Sequence, residues 1–282
     1  MYLSCIYPKR PIHNSKNDQE HLMELKACFL NAPEPTIKLT PYFSIYQELF
    51  GHLIDSSFTF IEVGVLNGGS LFMWRKWLGD NARIIGIDLN PEALKWQEHG
   101  FEIYIGDQGD PLFWEATLGE IGPFDVLLDD GGHQSFQQII TLNAALQFSK
   151  KDCLVVVEDS CTSFMKDFSS HREHSFLEYS KAATDNLTAK DCNFFPGQFP
   201  EFNNAESLDL FSKVHSIQFF SNIVAFHIKK SPIERAELIW NMAPKEQAKD
   251  FRLEGKNQAT VNWPDPKEEK QVFIQGAGKG KS

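Results

Sequence analysis

The sequence predicts a doubly wound, Rossmann-like α/β fold: a seven-stranded sheet with a helical N-terminal preface and a lid insertion after the fifth strand. Three observations predict it. Short apolar runs alternate with helix-length segments from residue 58 onward. The runs Val126-Leu127-Leu128 and Leu154-Val155-Val156-Val157 are apolar at every position, as in strands covered on both faces of a parallel sheet. A final pair of alternating runs flanks Ser221-Asn222, the pattern of an antiparallel edge hairpin.

Residues 1–57 form the preface. Leu22, Leu25, Cys28 and Phe29 recur at helical spacing, Pro33 and Pro35 end that helix, and a second is expected over 41–54. The domain proper covers 58–230. Five strands are expected over 58–65, 83–89, 102–106, 124–129 and 153–157, with helices over 69–79, 91–98, 110–119 and 134–148. Right-handed crossovers then wind the helices onto both faces of the sheet. Residues 160–213, rich in Phe, Ser, His and Asn, break the rhythm beyond the fifth strand, at the sheet edge where ligands bind. They read as a lid over the substrate, with helical portions near 170–186 and 204–213. Edge strands over 216–220 and 223–229 follow. Residues 231–282 comprise a helix expected over 233–242 and a polar, weakly ordered tail. The tail's end, Gln275-Gly-Ala-Gly-Lys-Gly-Lys-Ser282, imitates a phosphate loop. It has Gln where the first Gly is needed and no helix after it, so it is rejected as a nucleotide site.

Composition narrows the function. The 282 residues carry 27 Lys+Arg against 38 Asp+Glu, a formal charge of −11, which repels phosphate backbones and argues against nucleic acid as a partner. No apolar run reaches the length of a membrane span, and the start, MYLSCIYPKRP, lacks the hydrophobic stretch of a secretory signal. Five cysteines with no CxxC pair fit reduced thiols in a cytoplasmic protein.

The first strand turns into a helix through Glu62-Val-Gly-Val-Leu-Asn-Gly-Gly-Ser70. Gly64 and Gly68 let the backbone approach a ligand closely, and Ser70 opens the helix. A dinucleotide fingerprint needs glycine at position 66, which is Leu66. The acidic Glu62 also suits the ammonium and sulfonium of S-adenosylmethionine better than a pyrophosphate. Asp88 closes the second strand, where it can accept the ribose hydroxyls. Asp107 and Gln108 follow the third, placed for the adenine.

Strand four ends in Asp129-Asp-Gly-Gly-His133 and strand five in Glu158-Asp159. Asp129 adjoins the cofactor, while Asp130, Glu158 and Asp159 converge at adjacent strand ends. Three carboxylates in a small volume call for a cation, and all-oxygen ligands favour magnesium, or manganese or calcium. His133 is placed to remove a proton from a hydroxyl held there. Helix capping by Asp129 and Asp159, and a solvated Glu158, are the plainer alternatives.

At these residues the chain resembles the metal-dependent sugar O-methyltransferases of natural-product biosynthesis, of the mycinamicin and tetracenomycin rhamnose methyltransferase type, with cephalosporin hydroxylase-like relatives. The resemblance runs from about Lys38 to Lys229. It rests on Pro41-Tyr42 with Tyr46, Glu62-Val-Gly64, Gly106-Asp-Gln108, Gly122-Pro-Phe-Asp125, Asp129-Asp-Gly-Gly-His133 and Glu158-Asp159. It implies a class I adenosylmethionine-dependent enzyme with Asp130, Glu158 and Asp159 on magnesium and His133 as base. Gly132 departs from the family's usual Ser. The N-terminal region is short beside macrolide members that carry an extra domain, so a homo-oligomer is left open. The expected substrate is a small molecule or glycoside. The alternatives are methylation of a catechol-like phenol, a non-catalytic cofactor-binding partner protein, and a nicotinamide oxidoreductase, which Leu66 disfavours.

Overall fold

The computed structural model describes residues 24–169, 171–189, 211–233, 238–239 and 274–275. Its centre is one seven-stranded sheet in the order β3-β2-β1-β4-β5-β7-β6. The strands are β1 (Thr59–Val63), β2 (Arg83–Asp88), β3 (Glu102–Ile105), β4 (Val126–Asp129), β5 (Cys153–Val157), β6 (Val214–Phe219) and β7 (Val224–Ile228). The first five are parallel, and β7 pairs antiparallel with both β5 and β6. The edge hairpin turns at Asn222, which adopts φ 63°.

Side-chain alternation along the strands divides the core in two. Phe60, Ile84, Val126, Leu128, Leu154 and Val156 pack on one face against α2 (Tyr42–Phe50) and α3 (Gly69–Leu78). The helix over 24–30, α1, adds Leu25 and Cys28 to that side. Ile61, Val63, Ile85, Ile87, Leu127, Val155 and Val157 pack on the other, against α4 (Pro111–Ile121), α5 (Ser135–Phe148) and α6 (Phe176–Ala189). This is the doubly wound arrangement that the all-apolar strands predict.

Three elements differ from expectation. Residues Pro91–His99 form 3₁₀ helix rather than α-helix, opened by Asn90, whose side chain accepts from Glu92 N at 3.0 Å. The helix expected over 233–242 falls largely outside the described residues; within it, Leu238–Ile239 pairs as a short strand with Ile274–Gln275. In the expected lid, α6 packs into the core through Phe176 and Ala183. The helical portion expected near 204–213 lies mostly outside the described residues, as does the phosphate-loop-like terminus. Among the described residues no helix is long and apolar enough to cross a membrane.

Candidate active site

The carboxyl ends of β1, β2, β4 and β5 open onto a cavity of about 500 Å³, a size suited to a cofactor-sized ligand. Its walls include Gly64, Asp88, Asp107, Gln108, Asp130, His133, Glu158 and Asp159. Two predicted groups, the cofactor turn and the acids with His133, therefore share one cleft.

On the β1–β2 side, Gly64 adopts φ +90°, and a Cβ there would fall 2.1 Å from the Asp130 carbonyl oxygen. The glycine is what lets the loop after β1 lie against the loop after β4. Gly64→Ala should cost about 1–3 kcal/mol of stability, from strain at positive φ alone, and more from the clash. Chemical denaturation measures this; a midpoint equal to wild type would contradict it. Asp88 organises the same turn, its Oδ2 accepting from Val65 N (2.8 Å) and Leu66 N (2.9 Å) and its Oδ1 from Asn90 N. Asp107 Oδ1 accepts from Gly109 N at 2.7 Å.

Four residues expected at the cofactor stand behind the cavity wall. Glu62 is fully buried on the face it shares with Phe60, accepting from Ser70 Oγ (2.8 Å) and Trp74 Nε1 (3.0 Å). It thereby ties β1 to α3, and Ser70 belongs to that tie rather than to the cavity. Gly68, at φ +82°, is there because a Cβ would strike the Trp96 ring at 2.4 Å. Asp129 is fully buried on the face it shares with Leu127. It accepts from Gln108 Nε2 (3.0 Å) and Gly131 N (3.2 Å). Burial pushes Glu62 up to about 7, against the pull of the Lys38 charge and its two hydrogen bonds. Burial likewise raises Asp129.

Gln108 is more scaffold than expected. It donates to Asp129 and Thr141 and accepts from Gly132 N at 2.7 Å, locking the Asp130–His133 loop from below. The Gly132 departure has a local cause as well: a Cβ would meet Gln137 Oε1 at 2.3 Å, the oxygen that accepts from Gln134 N where α5 begins.

The end of the cleft that holds His133 and Asp159 is built on strained backbone. His133 and Asp159 adopt φ 58° and 53°, uncommon for residues with a Cβ. His133 Nε2 lies 3.6 Å from Asp159 Oδ2. Its Nδ1 is buried without a hydrogen-bond partner. Asp159 leads into the 3₁₀ turn Ser160–Phe164 without capping it through its side chain, so the helix-cap alternative does not hold there. Its carboxylate instead accepts from Tyr42 Oη at 2.5 Å. Each of Asp130, His133 and Asp159 offers a ligand atom within 4.8 Å of the others, all three half-buried. Two carboxylates and an imidazole at that spacing suit a divalent cation.

Glu158, expected as the third carboxylate of that set, also lines the cavity but is engaged by protein groups. It is buried, accepting from the Tyr46 hydroxyl and from Lys38 Nζ, which is 3.1 Å from each of its oxygens. Lys38 also donates to Asp130 Oδ2 at 2.5 Å and lies 4.0 Å from Glu62. Burial alone would push its ammonium down, but Asp130, Glu158 and Glu62 hold it above the ordinary lysine range. Lys38 carries no motif and was not predicted; Ile37 and Leu39 on either side make it look like any surface lysine. Tyr42 and Tyr46 had a usable signal, since residues four apart on a helix share a face and both hydroxyls reach the acids.

No protein-family model matches the sequence. Curated enzymes do match, and two of them show the likeness. The 8-demethyl-8-alpha-L-rhamnosyl tetracenomycin-C 2'-O-methyltransferase of Streptomyces olivaceus is 28% identical over 134 residues, 45% of this chain and 35% of the relative. Mycinamicin VI 2''-O-methyltransferase of Micromonospora griseorubida is also 28% identical over 134 residues, 44% of this chain and 32% of the relative. The chain thus spans about a third of the length of these relatives. Among solved structures, the MycE methyltransferase of the mycinamycin biosynthetic pathway, in complex with Mg and SAH, superposes with TM-score 0.60 at 21% identity. That match covers 74% of this chain and 54% of that one. By sheet order and by these likenesses the chain has the class I S-adenosylmethionine-dependent methyltransferase fold, and its sequence is similar to the sugar O-methyltransferases of tetracenomycin and macrolide pathways.

Proposed function

We propose that the chain is an S-adenosylmethionine-dependent, divalent-metal-dependent O-methyltransferase acting on a hydroxyl of a sugar, in a glycosylated natural product or a polysaccharide precursor. One observation carries the reading: a single cavity is lined both by the Gly64, Asp88 and Asp107 turns and by Asp130, His133 and Asp159. The cofactor loop and a proton acceptor thus face the same volume.

Asp88 and Asp107 would accept from the nucleoside end of the cofactor, and the Gly64 turn would admit its amino-acid end. Asp130 and Asp159 would hold magnesium; a bound ion lowers the pKa of a coordinated hydroxyl and orients it. His133 removes the hydroxyl proton, with Asp159 beside it to stabilise the imidazolium. S-adenosylmethionine held at the Gly64 turn would supply the methyl group to the oxygen that His133 deprotonates. Phe164 and Met165 stand exposed at the end of the turn that begins just beyond Asp159, an apolar surface suited to an aglycone. The acidic charge and the odd cysteine count support a cytoplasmic enzyme with no nucleic-acid partner.

The test is methyl transfer from labelled S-adenosylmethionine to a panel of rhamnosides and catechols, with and without chelator. Transfer to a sugar hydroxyl that stops with chelator and returns with magnesium is the expected result. Full activity in chelator would contradict the metal, and transfer to catechols alone would contradict the sugar.

A further inference from the structure

The acids at the reacting end come from three strand ends: Glu62 in β1, Asp130 after β4 and Glu158 after β5. One cation stands among them. Lys38 Nζ is 2.5 Å from Asp130, 3.1 Å from both Glu158 oxygens and 4.0 Å from Glu62, and its side chain is 1% exposed. The Tyr46 ring lies under the ammonium at 5.8 Å. Lys38 belongs to the stretch between α1 and α2, which is fixed against the cofactor loop: the Glu34 and Pro35 carbonyls lie so near Gly69, at the start of α3, that a Cβ there would come within 2.3 and 2.6 Å of them. The lysine is therefore delivered to the acids by a segment held on the rigid body of the domain.

We propose that Lys38 is the resident cation of the acid cluster. Its buried ammonium neutralises Glu158 and one oxygen of Asp130 and holds both carboxylates in place. Three observations support the assignment. Adjacent buried carboxylates repel unless a positive charge lies between them, and Lys38 is the cation seen there. Glu158 accepts from Lys38 through both oxygens and from Tyr46 through one, so its position depends on that cation. The tyrosines brace the acids beside it, Tyr46 bonding Glu158 and Tyr42 bonding Asp159. Lys38 acts through the carboxylates and so is a positioning residue.

The inference rests on reading the site as one that takes a divalent ion, and its test uses neither cofactor nor acceptor. A failed transfer assay therefore leaves it standing. Melting of the full chain is followed in chelator and in excess magnesium. In chelator, Lys38→Met should lower the midpoint by about 6–20 °C, the scale for stripping one partner from a buried ion pair in a domain this size. Magnesium should recover most of that loss while moving the wild type much less, since the ion supplies the missing charge. Lys38→Arg should keep the wild-type response to magnesium. If Lys38→Met does not fold, the double variant Lys38→Met/Glu158→Gln decides, because removing the facing charge should restore folding. A Lys38→Met protein that melts with the wild type in chelator would overturn the proposal. So would a deficit that neither magnesium nor Glu158→Gln relieves.

Discussion

His133→Ala is expected to bind S-adenosylmethionine and magnesium as the wild type does, and to lose turnover by about 10²–10⁴-fold, the usual worth of a positioned general base. A sugar hydroxyl is a poor nucleophile until its proton is taken, so removal of the acceptor should appear in kcat more than in KM. His133 is set on a left-handed backbone, and its Nε2 is 3.6 Å from Asp159, close enough for that carboxylate to stabilise the ring as it gains a proton. The substitution also tells base from ligand, because His133 lies within ligand distance of both carboxylates. Loss of metal affinity in calorimetry would make the imidazole a ligand instead. Unchanged turnover would remove it from the chemistry altogether.

Asp130→Ala should abolish metal-dependent activity, with turnover down at least about 10²–10³-fold, the scale of deleting one preorganised electrostatic group. Asp130 joins the two halves of the cluster, bonding Lys38 on one side and facing His133 and Asp159 on the other. Its removal leaves Lys38 still paired with Glu158, so the chain should fold while its affinity for manganese, used as a magnetic probe, falls. Asp130→Asn keeps the shape but not the charge and should fail in the same way. Wild-type metal affinity in either variant would contradict Asp130 as a ligand.

The sheet was legible because its strands are apolar on both faces, and the site acids because carboxylates stood at successive strand ends. What could not be read was which way each acid turns. Strand alternation holds the answer for two of them: Glu62 shares its face with Phe60 and Asp129 with Leu127, so both point into helix-covered core instead of the cleft. Glu158 could not be placed from its strand, since its direction is set by Tyr46 and by a lysine 120 residues away. Lys38 sits in extended chain with no periodicity, and only the folded path of 33–40 past α3 brings it to the acids. At Gly132 the Gln137 amide occupies the space a side chain would fill. Distances along the chain do not report such placements.

The most direct measurement is calorimetry of the chain with S-adenosylmethionine and, separately, with NAD. The account predicts saturable binding of S-adenosylmethionine, weakened by Gly64→Ala, and no binding of NAD. Binding of NAD with none of S-adenosylmethionine would contradict it.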